Sequence, residues 1–99
     1  SFLDPAHFES KIDSIGQASA IAANKVPGIR AVVGHDAYTV TSAREHNDAN
    51  VLCLGGQLHG PGLARHLVQV WLDTPYAGGR HQKRLDKITG IEMQAMRKA

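Results

Sequence analysis

Apolar residues fall into two short dense runs and several periodic ones. Residues 29–33 (Ile-Arg-Ala-Val-Val) form a compact β-branched stretch closed by Gly34, and residues 51–54 form a second stretch ending at Gly55-Gly56. Each predicts a short buried strand. Neither alternates with polar residues, the pattern expected when helices cover both faces of a parallel sheet. Between them His35-Asp36 supplies a cap for a helix over residues 37–46, although Thr39, Val40 and Thr41 make it intrinsically weak. Pro61 opens another helix, on which Leu63, Leu67, Val70 and Trp71 recur at helical spacing; it ends near Asp73-Thr74-Pro75. Residues 76–79 form a connector, and a last helix starts at about Arg80 with Leu85, Ile88 and Ile91 on one side.

The upstream part reads as helical. Asp4 and Pro5 suit the N-cap and first position of a short helix, Leu3 and Phe8 have staple spacing, and Phe8 and Ile12 share a face. Gly16 interrupts, residues 17–25 are Ala-rich and helical, and Pro27-Gly28 marks a turn. The order helix–helix–strand–helix–strand–helix–helix predicts an α/β layer fold, a partial doubly wound parallel sheet with a right-handed crossover. Two strands make a narrow sheet with open edges. Either an extra strand hides in the N-terminal part or a partner chain completes the layer, and the expectation is a partner.

Ninety-nine residues suit one α/β domain. Charged residues at 20% and apolar residues at 42% exclude a disordered chain. No apolar run approaches the roughly 20 residues of a membrane span, and the single Cys53 fits a reducing compartment. The expectation is a soluble cytoplasmic domain that does not engage a membrane. Charge is uneven: residues 80–99 carry six cations and two acids, so the rest of the chain is net negative. An anion is expected near the C-terminal segment. Nucleic acid is not, because few aromatics accompany the cations to form a stacking platform.

Three places can carry chemistry. In residues 78–84, Gly-Gly-Arg-His-Gln-Lys-Arg, two glycines precede a helical turn that brings Arg80 and Arg84 to one side. Cations there oppose the helix macrodipole, yet paired arginines can grip an oxyanion bidentately; the alternative is a solvated basic face. In residues 44–50, Arg-Glu-His-Asn-Asp-Ala-Asn, His46 can transfer protons near neutral pH and the Asn47 amide can stabilise an oxyanion. Ordinary turn formers with a helix-terminal His would look the same. Residues 13–25 join a loop to a helix N-terminus, but with Gly16 alone and Asp13 beside it the segment makes a poor phosphate cradle. Cys53 lies in an apolar strand as a small core residue, and the six His, without a Cys or carboxylate at ligand spacing, make no zinc site, with His59 and His66 the one pair that could be argued into one.

Residues 21–56, with IAANK and AREHNDANVL, followed by residues 71–88 with GGRHQKR, resemble the ribose-5-phosphate isomerase B family, which includes the galactose-6-phosphate isomerase subunits. The resemblance spans about residues 21–91, with residues 1–20 divergent. It implies a doubly wound parallel sheet, a homodimer or higher oligomer with active sites between subunits, no metal and no cofactor. The implied reaction is aldose–ketose conversion of a sugar phosphate through an enediolate. On this resemblance His46 opens the sugar ring, Asn47 adjoins it, and Arg80 and Arg84 hold the substrate phosphate. The family's opening strand with an Asp-His pair has no counterpart here. Its Cys-containing glycine-rich loop falls on residues 13–16, so Asp13 stands in the place of the Cys, Ile15 in that of a Thr, and Ala18 in that of a Gly. Ser19 occupies the place of a Glu base used by some members, and Gln57 that of an arginine. Asp13 is then the one candidate base. The resulting expectation is a truncated sugar-phosphate isomerase domain with little or no activity; the alternative is a non-catalytic dimeric module that binds a phosphate or sugar phosphate.

Overall fold

The computed structural model describes residues 12–13 and 15–98. They follow the order β1 (Ile12–Asp13), α1 (Gln17–Ala23), β2 (Ala31–Val33), α2 (Ala37–Asn47), β3 (Val51–Gly55), α3 (Pro61–Asp73), a 3-10 turn (Gly79–His81) and α4 (Gln82–Lys98). The helix expected from Asp4 and Pro5 lies outside the described residues, and Ile12, read as sharing its face, belongs to a strand instead.

The strands are all parallel and lie in the order β1-β3-β2. Ile12 and Asp13 are in register with Leu54 and Gly55, and Ala31, Val32 and Val33 with Val51, Leu52 and Cys53. The expectation that a partner chain would complete a two-stranded layer is thus corrected. The third strand comes from the N-terminal part of this chain, where two residues are too short a run to register as a strand pattern.

The middle position of β3 explains its composition. All five of its residues are buried, and successive side chains of a strand point to opposite faces. Leu52 and Leu54 join Val40, Ala43, Leu67 and Trp71 in one core, beneath α2 and α3. Val51 and Cys53 join Ala20, Ala23, Ile29 and Ala31 in the other, beneath α1. The chain passes from β1 over β3 to β2 by way of α1, then returns to β3 by way of α2. Right-handed crossovers running in opposite directions place their helices on opposite faces, which is the arrangement found.

Two local devices compensate for weak sequence. The β-branched start of α2 is held by a capping box: the Thr39 N–H donates to Asp36 Oδ1 at 2.8 Å, and Thr39 Oγ1 accepts from the Asp36 N–H at 3.1 Å. Hydrogen bonding from Thr39, its backbone N–H foremost, to the ionised form keeps the Asp36 carboxyl below its ordinary range. β2 is extended at its start by Asn24, whose side-chain amide donates to the Ala31 carbonyl and accepts from the Ala31 N–H. This amide stands where a neighbouring strand's backbone would.

At the opposite end of β2, a Cβ built on Gly34 would lie 2.7 Å from both Leu52 Cδ1 and Val40 Cγ2. Both side chains are fully buried and have nowhere to move. Gly34→Ala is therefore expected to destabilise the fold by about 1–3 kcal/mol through overpacking, read as a lower denaturant midpoint with an unchanged slope.

Candidate active site

Helix α2 runs antiparallel to the strands, so its C-terminal turn, with Glu45, His46 and Asn47, lies at the end of the sheet where β2 and β3 begin. The turn is fixed there by its surroundings. Asp48 takes a left-handed conformation (φ 46°) and receives Arg30, whose Nε donates to the Asp48 carbonyl at 2.8 Å and whose guanidinium pairs with Asp48 Oδ2 at 3.3 Å. Asn50 closes the same corner, accepting from the Arg30 N–H and donating to the Gly28 carbonyl.

Arg44 ties this turn to the next element. Its guanidinium donates to the carbonyls of Ala49 (2.8 Å) and Thr74 (3.3 Å) and lies 4.9 Å over the Trp71 ring. One residue on, the Glu45 carbonyl accepts from the Ala77 N–H at 3.0 Å. The connector after α3 is therefore pinned to α2 at two points before it reaches Gly78 and Gly79. Both glycines have positive φ (70° and 64°), with nothing near enough to block a Cβ, so conformation alone calls for glycine there. The reversal brings the 3-10 turn against the end of α2.

The result is a ring stack. The imidazoles of His46 and His81 lie 4.3 Å apart between centroids and 16° from parallel. Arg84, on the first turn of α4, donates to His81 Nδ1 at 3.3 Å. That nitrogen is consequently an unprotonated acceptor. On the other ring, Glu45 Oε1 lies 3.5 Å from His46 Nε2 and Ser42 Oγ 3.4 Å from Nδ1. An ionised carboxylate can only accept, so the contact favours a proton on Nε2 and leaves Nδ1 to accept from the Ser42 hydroxyl. Partial burial pushes the His81 imidazole below its ordinary range; the charges of His46, Arg80 and Arg84 push the same way, and Glu45 opposes them.

Three of the sequence candidates, His46, Arg80 and Arg84, gather around His81, whereas Asn47, next along the chain, borders the groove under α4. His46 and Asn47 come from α2, Arg80 from the 3-10 turn rather than from the start of the last helix, and Arg84 from α4. Asp13 does not join them. It is in register with Gly55, at the C-terminal end of the strands, whereas His46 lies beyond Val51 at the other end. Four residue steps of β3 alone separate the two ends by about 13 Å. Within one copy Asp13 therefore stands apart from His46 and Asn47, because the crossover carries α2 back down the sheet.

His81 is the residue that the sequence undervalued: it stood among the cations of the C-terminal cluster with nothing to mark its ring partner. His59 is polar and buried for structural reasons. Its Nδ1 lies 3.2 Å from the Gly55 N–H and its Nε2 3.1 Å from the His35 carbonyl, so it ties together the ends of β3 and β2. Among the described residues no group of His, Cys, Asp and Glu could hold a metal ion, and no helix is long and apolar enough to cross a membrane.

Residues 7–88 match the Ribose/Galactose Isomerase family. The chain belongs to this family. It is 48% identical over 79 residues to ribose-5-phosphate isomerase B of Escherichia coli, covering 80% of this chain and 53% of that protein. It is 36% identical over 77 residues to the galactose-6-phosphate isomerase subunit LacA of Streptococcus agalactiae, covering 78% of this chain and 55% of the relative. The solved ribose-5-phosphate isomerase B of Clostridium thermocellum superposes with a TM-score of 0.82 at 48% identity, covering 85% of this chain and 57% of that one. The chain thus spans about half the length of the relatives it matches. These neighbours bear out the doubly wound α/β fold class expected from the sequence.

Within this domain, Arg44 is the side chain on which the geometry of the His46 turn rests. Arg44→Ala removes two charge-assisted hydrogen bonds and a cation–π contact together, an expected loss of about 2–3 kcal/mol in stability. Trp71 is the only tryptophan, so the same variant should show red-shifted emission as its ring becomes wetter.

Proposed function

We propose that this chain is a sugar-phosphate aldose–ketose isomerase domain of the ribose-5-phosphate type, contributing the phosphate grip and the ring-opening group. One observation carries the reading: the His46–His81 stack, with Arg84 bonded to it and Arg80 on the same turn. It sets a group able to move protons near neutral pH beside two permanent cations. An anion at Arg80 and Arg84 would also meet the N-terminal end of α4, whose backbone N–H groups favour negative charge.

In this reading Arg80 and Arg84 hold the phosphate, His46 passes a proton to or from the sugar ring oxygen, and the Asn47 amide supports charge that develops on oxygen. The phosphate fixes the distance between substrate and His46, where proximity does most for rate. No metal or cofactor is needed for these steps. An enediolate route also needs a base beside C2. Asp13, the candidate in the sequence, belongs to the other end of the sheet. Two copies paired head to tail could set one copy's Asp13 end against the other's His46 end, so the proposed partner is a second copy of this chain.

Ribose 5-phosphate should raise the melting temperature by mass action, by about 2.7 kcal/mol of stability at a hundredfold excess over Kd. Arg80→Ala/Arg84→Ala should abolish the shift. An equal shift in that variant would remove the arginines from the site. Turnover by this 99-residue chain is expected far below an ordinary rate of about 10 s⁻¹, with any residue of it lost in His46→Ala. Ordinary turnover abolished by Asp13→Asn would instead make Asp13 a working base. Binding without His46-dependent turnover would favour the non-catalytic sugar-phosphate-binding module. Light scattering at tens of micromolar should give the mass of two chains or more, and a monomer would sink the paired site.

A further inference from the structure

The contact between Arg84 and His81 bears on how these residues would take an anion. A guanidinium has no proton to lose near neutral pH, so it can approach His81 Nδ1 at 3.3 Å only as a donor to an unprotonated nitrogen. One face of the same ring is covered by His46 at 4.3 Å. Arg84 and a proton therefore compete for one nitrogen. An oxyanion competes for Arg84.

We propose that anion binding at Arg80 and Arg84 is coupled to uptake of one proton by His81: the anion draws Arg84 off Nδ1, and that nitrogen is protonated from solvent. This rests on the reading that the arginines form an anion site, and it adds a proton to each binding event. No bond to carbon or oxygen changes. The Arg84–Nδ1 hydrogen bond is exchanged for an N–H on His81 and a contact between Arg84 and the anion, and one positive charge enters with the negative ligand.

The groups facing His81 set the direction. From α2 come His46 and the Glu45 carboxylate; from the 3-10 turn and α4 come Arg80 and Arg84. With Arg84 on Nδ1 the cations oppose a proton on His81, and among the described residues Glu45 favours one. A bound dianion reverses that balance by neutralising the arginines. The stack also limits the uptake to a single proton, because two imidazolium rings 4.3 Å apart would repel each other. The phosphate end of the site thereby communicates with the proton-transfer group through one ring contact.

The anion-bound protein holds more protons than the free protein, so affinity should rise as pH falls through the histidine range. Inorganic sulfate is the probe, because it stays a dianion throughout that range whereas phosphate does not. In calorimetric titrations at constant ionic strength between pH 5.5 and 8.5, sulfate affinity should tighten with acidification by up to about tenfold per pH unit, the limit for one coupled proton. His81→Phe keeps a stacking ring without a proton site and should bind sulfate with flat affinity, whereas His46→Phe should keep the slope. A flat wild-type profile, or a slope lost in His46→Phe and kept in His81→Phe, overturns the proposal. No sulfate binding at any pH would instead overturn the anion site on which it rests. Nitrogen NMR of the wild-type imidazoles gives a reading independent of any variant. His81 Nδ1 should pass from unprotonated to protonated as sulfate is added near pH 7, and an unchanged Nδ1 with sulfate bound would refute the coupling.

Discussion

Burial of β3 on both faces is the constraint on which the rest of the molecule depends. A strand with a helix layer on each side cannot alternate polar and apolar residues, and Val51–Gly55 presents no polar side chain to either core. Its central place obliges the chain to cross it twice, once by α1 and once by α2, on opposite faces. The direction of α2 follows from that topology. Because α2 must run from the end of β2 to the start of β3, its C-terminal turn falls at the lower end of the sheet, and His46 with it.

The position of His46 sets which residues it can meet. The ends of the parallel strands, where β1 reaches Asp13 and the chain turns through Gly16 into α1, lie across the length of β3 from it. The nearer neighbours come from the C-terminal third of the chain, brought round by a connector pinned at Thr74 and Ala77 and reversed at two glycines. The cluster of His46, His81 and Arg84 is therefore a product of local tethering rather than of the hydrophobic core. Arg44 matters here as much as any apolar side chain, since it joins the end of α2, the loop before β3 and the connector at once.

The last helix has a different relation to the fold. Leu85 is buried, but Ile88 and Ile91 are 49% and 67% exposed. With Met96 they line a groove of about 690 Å³ between α4 and the α1–β2 segment, which Asn47 also borders. α4 is held to that segment by Glu92, which accepts from the Gly28 N–H at 2.7 Å. The apolar stripe legible in the sequence is real, but only its first turn reaches the core.

Sequence alone determined the two longer strands, the helices read over residues 17–25, 37–46 and from Pro61 to near Asp73, and the basic character of the C-terminal segment. Each of these is written in local chemistry: a β-branched run, a cap at Asp36, a proline at Pro61, an excess of arginine and lysine. The motifs around His46 and Arg80 also marked the family, because they depend on residue type and spacing. Tertiary structure decided what periodicity cannot carry. A two-residue strand at Ile12–Asp13 has no pattern of its own and exists through its pairing with Leu54 and Gly55. The separation of Asp13 from His46 follows from crossover direction, and the stacking of His46 on His81 brings together residues 35 positions apart through a glycine reversal. These relations are set by chain path, to which a linear reading of residue types is blind.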